Sequence, residues 1–266
     1  MAVGMVQRTW RWVACAAALG VAHLFPAAAC AGALTIAAED DWAPYSYRVE
    51  GASEVQGLAP ELVRAAFATQ GVSVQFDVLP FSRCLLHAER GKAAGCFNVT
   101  RTQSNASQFC WHPTPLFTEE LGIFGRPSSR ATRPLAEQDL VGKRVGITLG
   151  YTYPTSFMTH PRIQRFSAAS DGNLIQMLVA GRVDYILLNT MPGYHRLQQQ
   201  PALAGQVVRV GALGQDSFWL AFSKTHPEGL RMCDVFERGL RALHASGAYD
   251  RTMRAFRQRW QPSVQP

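Results

Sequence analysis

The chain carries the same pattern twice. Around Gly91 and again around Gly181, apolar residues at helical spacing end at a glycine. A basic residue follows (Lys92, Arg182), then a short apolar strand that closes on an asparagine, Asn98 in one copy and Asn189 in the other. Glycine stops a helix because it readily takes the left-handed conformation that closes the last turn. The nearly all-apolar run Val183–Leu188 is what a central parallel strand, buried on both faces, requires. Two similar halves follow, each an α/β unit, and in open α/β sheets ligands sit beyond the C-terminal ends of the strands. Both asparagines therefore point to the same kind of place.

The flanking segments fit this plan. Residues 34–38 predict a strand, and 58–67 a helix with Leu58, Leu62, Val63, Ala66 and Phe67 on one face, Pro60 in its first turn and Gly71 as its stop. Residues 72–79 predict a strand, Ser82 a helix cap, and 96–99 the strand of the first copy. In the second copy 142–149 predict a strand, and Asp171 is expected to cap a helix bearing Leu174, Met177 and Leu178. The polar, proline-containing stretch 126–134 reads as a connection, and a return crossing is expected near 211–222. The tail from Glu228 to Trp260 reads as two helices broken at Ser246 and Gly247, with Leu230, Val235, Phe236, Leu240 and Leu243 facing the core. The β-α-β-α-β order argues for mostly parallel sheets flanked by helices. The expected boundaries are a leader over 1–31, one lobe from 32–124 and 215–266, and a second, inserted lobe over 125–214.

The leader rests on Arg8 and Arg11, an apolar run from Trp12 to Phe25, and small residues at A-x-A spacing, the pattern of a secretory signal peptide. The run is shorter than the roughly 20 residues of a membrane span. Cleavage after Ala29, Ala31 or Ala33 fits. Lipidation at Cys30 is disfavoured by Ala27, which stands where leucine is expected. Loss of Arg8 and Arg11 takes the formal charge from +7 to +5, and the basic residues are scattered, which argues against a nucleic-acid partner. Cys84, Cys96, Cys110 and Cys233 follow the leader, and export permits disulfides. No C-x-x-C or H-E-x-x-H spacing occurs, so no metal site or cofactor is expected. A bridge within the first three cysteines is expected, with Cys84–Cys110 favoured, although spacing does not fix connectivity.

Taken in order, Trp42 to Tyr45, Gly57 to Leu62, Gly91-Lys92, Thr102 to Asn105, Pro115 to Phe117, Gly142 to Thr152, Gly181 to Asp184 and Leu243 to Tyr249 form a familiar series. The chain resembles the extracellular solute-binding proteins of family 3, the periplasmic receptors of polar amino-acid ABC importers, over nearly its whole length after the leader. The resemblance implies a two-lobed periplasmic binding protein fold of type II, with two crossing strands and a cleft that closes on a solute by hinge motion. It also implies a monomer that hands its solute to an ABC transporter permease.

The same resemblance marks a departure. Family members read Thr-x-x-Arg in a short helix after the third strand, and that arginine clamps the ligand carboxylate bidentately. Here Asn105 follows Thr102 at that spacing. An aspartate for the ligand ammonium is usual where this chain has Asn189. A charge-assisted hydrogen bond contributes about 1.5–3 kcal/mol, so a zwitterion loses two strong contacts. The residues expected to line the cleft are Trp42 for stacking, with Asn98, Thr100, Asn105, Tyr151, Thr152 and Asn189 for hydrogen bonding, a set suited to a small, neutral polar solute. Tyr151 and Thr152 are placed where a helix begins, and Arg83 or Arg101 is the candidate replacement for the missing positive charge.

Two other functions stand beside solute binding: an enzyme on the same fold, such as the dehydratase-like relatives, and an accessory or sensory binding module. The enzyme reading requires a carboxylate or histidine in the cleft. Glu39, Asp40 and Asp41 lie nearest in sequence but read as solvating the end of the first strand. No triad spacing is present, so the chain is read as a binding protein and not as an enzyme.

Overall fold

The computed structural model describes residues 33–260 apart from 50, 53 and 204, together with Met1 and Ala2; the apolar leader segment and Cys30 fall outside the described residues. The chain begins with β1 (Leu34–Glu39). A small antiparallel sheet follows, made of β2 (Asp41–Trp42), β3 (Ser46–Arg48) and β4 (Val55–Gln56). Then come α1 (Leu58–Ala68), β5 (Val74–Leu79), α2 (Phe81–Glu89), β6 (Gly95–Val99), β7 (Phe109–Cys110) and β8 (Phe117–Gly125). The second series is β9 (Arg144–Thr148), α3 (Thr155–Thr159), β10 (Gln164–Ala168), α4 (Asp171–Val179), β11 (Tyr185–Asn189) and α5 (Thr190–Gln198). The chain returns along β12 (Val208–Ser223) and ends in α6 (Gly229–Ala245) and α7 (Ala248–Trp260).

The main sheet runs β10-β9-β11-β8-β12-β6-β1-β5, with β7 paired beside β12. Its two ends have the same construction. In β5-β1-β6 and in β10-β9-β11 the first strand of the copy lies between its second and third, all parallel. The expected duplication is therefore one of topology. Between the triads, β8 and β12 form an antiparallel ribbon from Val208↔Gly125 to Phe218↔Phe117, and β12 then pairs with β6 from Trp219 onward.

Burial follows the sequence pattern closely. The apolar face of α1 is wholly buried and packs on Met232, Val235, Phe236, Leu240 and Leu243 of α6. The two helices approach so closely that a Cβ on Gly239 would collide with the Ala66 carbonyl. Leu230 departs from expectation: it is 55% exposed, on the outer side of α6.

Three local expectations are corrected. Pro80, not Ser82, precedes α2 as its cap residue. Ser170, not Asp171, caps α4, its hydroxyl accepting from the Asn173 amide, and this leaves the Asp171 carboxylate for another use. Residues 103–108 form turns and not a helix. The Asn105 side chain closes them by accepting from the Thr102 amide at 2.8 Å and donating to the Thr100 carbonyl at 2.9 Å.

The cysteines pair as Cys84–Cys96 and Cys110–Cys233, with Cα separations of 5.6 and 6.4 Å. A bridge does form within the first three, but Cys84 takes Cys96, because α2 packs directly over β6. Cys110, on β7, meets α6 instead. The separations along the chain are 12 and 123 residues. Loop-closure entropy then makes the long-range bridge the more stabilising, by about 2 kcal/mol. Cys110→Ser/Cys233→Ser is expected to lower the urea midpoint more than Cys84→Ser/Cys96→Ser. Equal losses would contradict an entropic origin.

Candidate functional site

The C-terminal ends of β1, β6 and β11 converge with the loop after β9 and the middle of β12 on one small cavity. Glu39 is the last residue of β1, Asn98 lies next to last in β6 with Thr100 just beyond, and Asn189 ends β11. Tyr151 and Thr152 come from the loop after β9, Asp216 and Phe218 from β12, and Phe81 from the first turn of α2. The cavity holds about 20 Å³, room for about one water molecule, so the cleft is closed on its own side chains at the strand ends. Glu39, Phe81 and Tyr151 also line a larger cavity of about 320 Å³, whose far wall includes Asp41, Asp171 and Arg196.

Tyr151 reaches across the cavity. Its hydroxyl donates to Glu39 Oε1 at 2.9 Å, and its ring meets Phe81 edge-on at 5.5 Å. A second tie lies beside it. Arg196 of α5 donates to the Asp41 carbonyl at 2.8 Å, lies 2.9 Å from the Asp41 carboxylate, and stands 3.8 Å from Asp171. Asp171 in turn accepts from the Thr148 hydroxyl. Two of the three acidic residues that sequence placed at the strand end thus behave oppositely: Asp41 is exposed and bonded to Arg196, whereas Glu39 is 3% exposed inside the cavity wall.

Burial dominates the electrostatics. It raises the Glu39 carboxyl from 4.5 to about 8, against the pull of the Tyr151 hydrogen bond and with help from nearby Asp171. It raises Asp216 to about 6, opposed by Asn189, and raises Asp171 and Glu119 as well. Glu119 is nevertheless well served, accepting from the Tyr45 hydroxyl at 2.5 Å and the Met191 amide at 2.7 Å.

Asn98 is the outlier. Its φ is +62°, a left-handed conformation that asparagine tolerates better than most side chains. It is 4% exposed, and neither amide atom has a partner in hydrogen-bond geometry among the described residues, although Glu39 lies close by. A buried polar group left unsatisfied costs about 1–3 kcal/mol. Asn189 is also buried. Its amide lies near Asp216, and its bond to the Glu120 carbonyl is a long one, 3.5 Å.

Of the residues predicted from sequence, Asn98, Thr100, Tyr151, Thr152 and Asn189 line the cavity together. Trp42 lies one layer back in the core, 3% exposed, its ring 4.9 Å from that of Phe218, which does face the cavity. Asn105 uses both ends of its amide on its own loop. Arg83 and Arg101 are exposed and lie outside the lining. The helix expected at Thr152 begins at Thr155, behind Pro154. Sequence reasoning missed Glu39, Phe81 and Asp216. β1 runs one residue past the expected 34–38, its register with β5 unbroken from Leu34 to Glu39, and that extension carries Glu39 into the cavity wall.

A family model described as bacterial extracellular solute-binding proteins, family 3, matches residues 34–259. Among solved structures, the amino acid ABC transporter substrate-binding protein AbpA from Streptococcus pneumoniae, bound to L-arginine, is 23% identical. That alignment covers 88% of this chain and 97% of the other, with a TM-score of 0.69. An ancestral arginine-binding protein bound to arginine is 21% identical over 86% of this chain and 98% of its own, at 0.71. A histidine kinase sensor domain with similarity to periplasmic binding proteins is 20% identical over 88% and 98%, at 0.72. Comparison with curated proteins returns no match. The architecture is thus the two-lobed α/β fold of type II periplasmic binding proteins, and two of these three structures hold arginine.

The Glu39 proton has a consequence for stability. The folded protein holds it up to about pH 8, the unfolded chain only to about 4.5, so the folded state binds more protons and stability falls as pH rises through this window. Asp216 acts in the same sense near pH 6, and His112, buried and held at about 4, acts oppositely below 6.5. Urea midpoints are expected to fall between pH 6.5 and 8 for the native sequence and to fall less for Glu39→Gln. Parallel curves would place the proton elsewhere.

Proposed function

Because the chain belongs to the bacterial extracellular solute-binding proteins, family 3, we propose that it captures a small polar solute between its two lobes and delivers it to an ABC importer. In this reading the lobes are 32–124 with 215–266 and the inserted 125–214. A leader over 1–31 directs export to the periplasm and is removed, and the mature protein acts as a monomer. β8 and β12, the paired segments between the triads, carry the hinge.

One observation carries the proposal: a buried asparagine, Asn98, whose amide is unpaired on a cavity formed where strand ends converge. A solute supplies the partners the protein does not. The site is also proposed to lack the clamp of amino-acid receptors. Asn105 is held by its own loop, and the lining contains Asn189 where the family has an aspartate. Two of the compared structures hold arginine, whose carboxylate would find no guanidinium in this lining.

The test is a thermal-shift screen of the leader-free protein against amino acids, amines, polyols, sugars, amides and organic acids. A solute at 100 times its Kd adds about 2.7 kcal/mol, or about 5–10 °C for a chain of this size. At least one class is expected to produce such a shift; silence across all of them contradicts the proposal. Asn98→Gly, which keeps the left-handed backbone accessible, is expected to weaken the hit about tenfold without lowering the ligand-free melting temperature. A fall in stability with unchanged affinity would return Asn98 to a structural role.

A further inference from the structure

If the cleft is the solute site, as proposed above, the chemistry of its lining discriminates among polar solutes. Two carboxylates, Glu39 and Asp216, and three aromatic rings, Phe81, Tyr151 and Phe218, face the cavity; among the described residues no Lys, Arg or His does. Arg83 and Arg101 are exposed and outside the lining, and two further arginines are engaged elsewhere. Arg196 is held by Asp41 and Asp171, and Arg209 by Glu120 through bonds of 2.7 and 2.8 Å. A solute carboxylate would enter with no positive group to receive it and two acidic side chains against it. A cation meets the reverse: the Asp216 carboxylate, Glu39 releasing its proton to solvent as the positive charge arrives, the Asn98 carbonyl oxygen, and aromatic rings whose quadrupole attracts positive charge.

Asn98 supplies independent support. Its amide is buried and unbonded in the same wall, which marks a place for a partner and not merely an acidic surface. Tyr151 shows how the closed cleft serves the acid in the meantime, by placing a neutral O–H on Glu39. A cationic N–H at the same acceptor makes a hydrogen bond about twice as strong as a neutral one, which supplies the drive to displace the tyrosine.

We infer that the cleft takes a small organic cation without a carboxylate, an alkylamine or alkylguanidine, with its charge on Glu39 and Asp216 and its stem against Phe81 and Phe218. The departures at Asn105 and Asn189 then have one explanation. A solute with no carboxylate needs no guanidinium clamp, and Glu39 with Asp216 takes over the charge recognition that an aspartate at position 189 would provide.

Agmatine and L-arginine isolate the point, because they share a guanidinium and chain and differ by the carboxylate. In calorimetric titrations of the unmodified, leader-free protein, agmatine is expected to bind at least tenfold more tightly than arginine, with putrescine as a second amine probe. Glu39→Gln and Asp216→Asn are each expected to lower agmatine affinity tenfold or more. Tighter binding of arginine overturns the inference, and so does failure of agmatine and putrescine while a neutral or anionic solute binds; in both cases the solute-binding reading survives. Failure of every class defeats both. Should either variant misfold, the agmatine and arginine pair in the unmodified protein decides alone.

Discussion

The structure depends on the antiparallel pairing of β8 with β12. Each parallel triad is a small α/β unit of the same topology, and nothing in either triad alone would set its strand ends against those of the other. The ribbon does so by changing partners along its length: β12 pairs with β8 up to Phe218 and with β6 from Trp219. The residues near that change of partner, Asp216 and Phe218, are the ones β12 contributes to the cavity. The element that joins the sheet therefore also lines the cavity, and in the proposed function it is the ribbon about which the site opens and closes.

Closure of the cleft on its own side chains has a physical cost and a physical compensation. Asn98 and Glu39 are buried at the ends of β6 and β1, one unpaired and the other held protonated by its surroundings. Tyr151 partly satisfies Glu39, and Arg196 ties Asp41 to Asp171 beside it. These contacts are polar and few, which suits the proposed exchange with a solute's groups. The apolar packing of α1 on α6 and the Cys110–Cys233 bridge stand apart from that exchange, while Cys84–Cys96 fixes α2, which bears Phe81, to β6, which bears Asn98.

Much of this was legible in the sequence for an identifiable reason. The glycine stops and apolar strand runs of the two copies are local signals, and they located β6, β11 and the two asparagines at their ends. What escaped depends on contacts between distant segments. β12 spans the expected crossing at 211–222 and begins earlier, at Val208; that its Asp216 lines a cavity depends on the pairing of residues 214–217 with 118–121, which no local signal carries. Cys110 pairs with Cys233 across 123 residues, a choice spacing cannot make. Glu39 sits in a run of three acidic residues that looks solvated, yet β1 is flanked by β5 and β6, and its last position is enclosed. Trp42 differs again: an aromatic residue near a site can belong to the layer beneath it, and here Phe218 faces the cavity in its place.

The central claim is that a solute occupies the cleft by replacing the protein's own contacts there. A crystal structure of the protein with the tightest-binding solute tests it most directly. The account predicts the solute bonded to Asn98 and Glu39, with the Tyr151 hydroxyl displaced from Glu39. A solute seated elsewhere, with the Tyr151–Glu39 hydrogen bond intact, would contradict it.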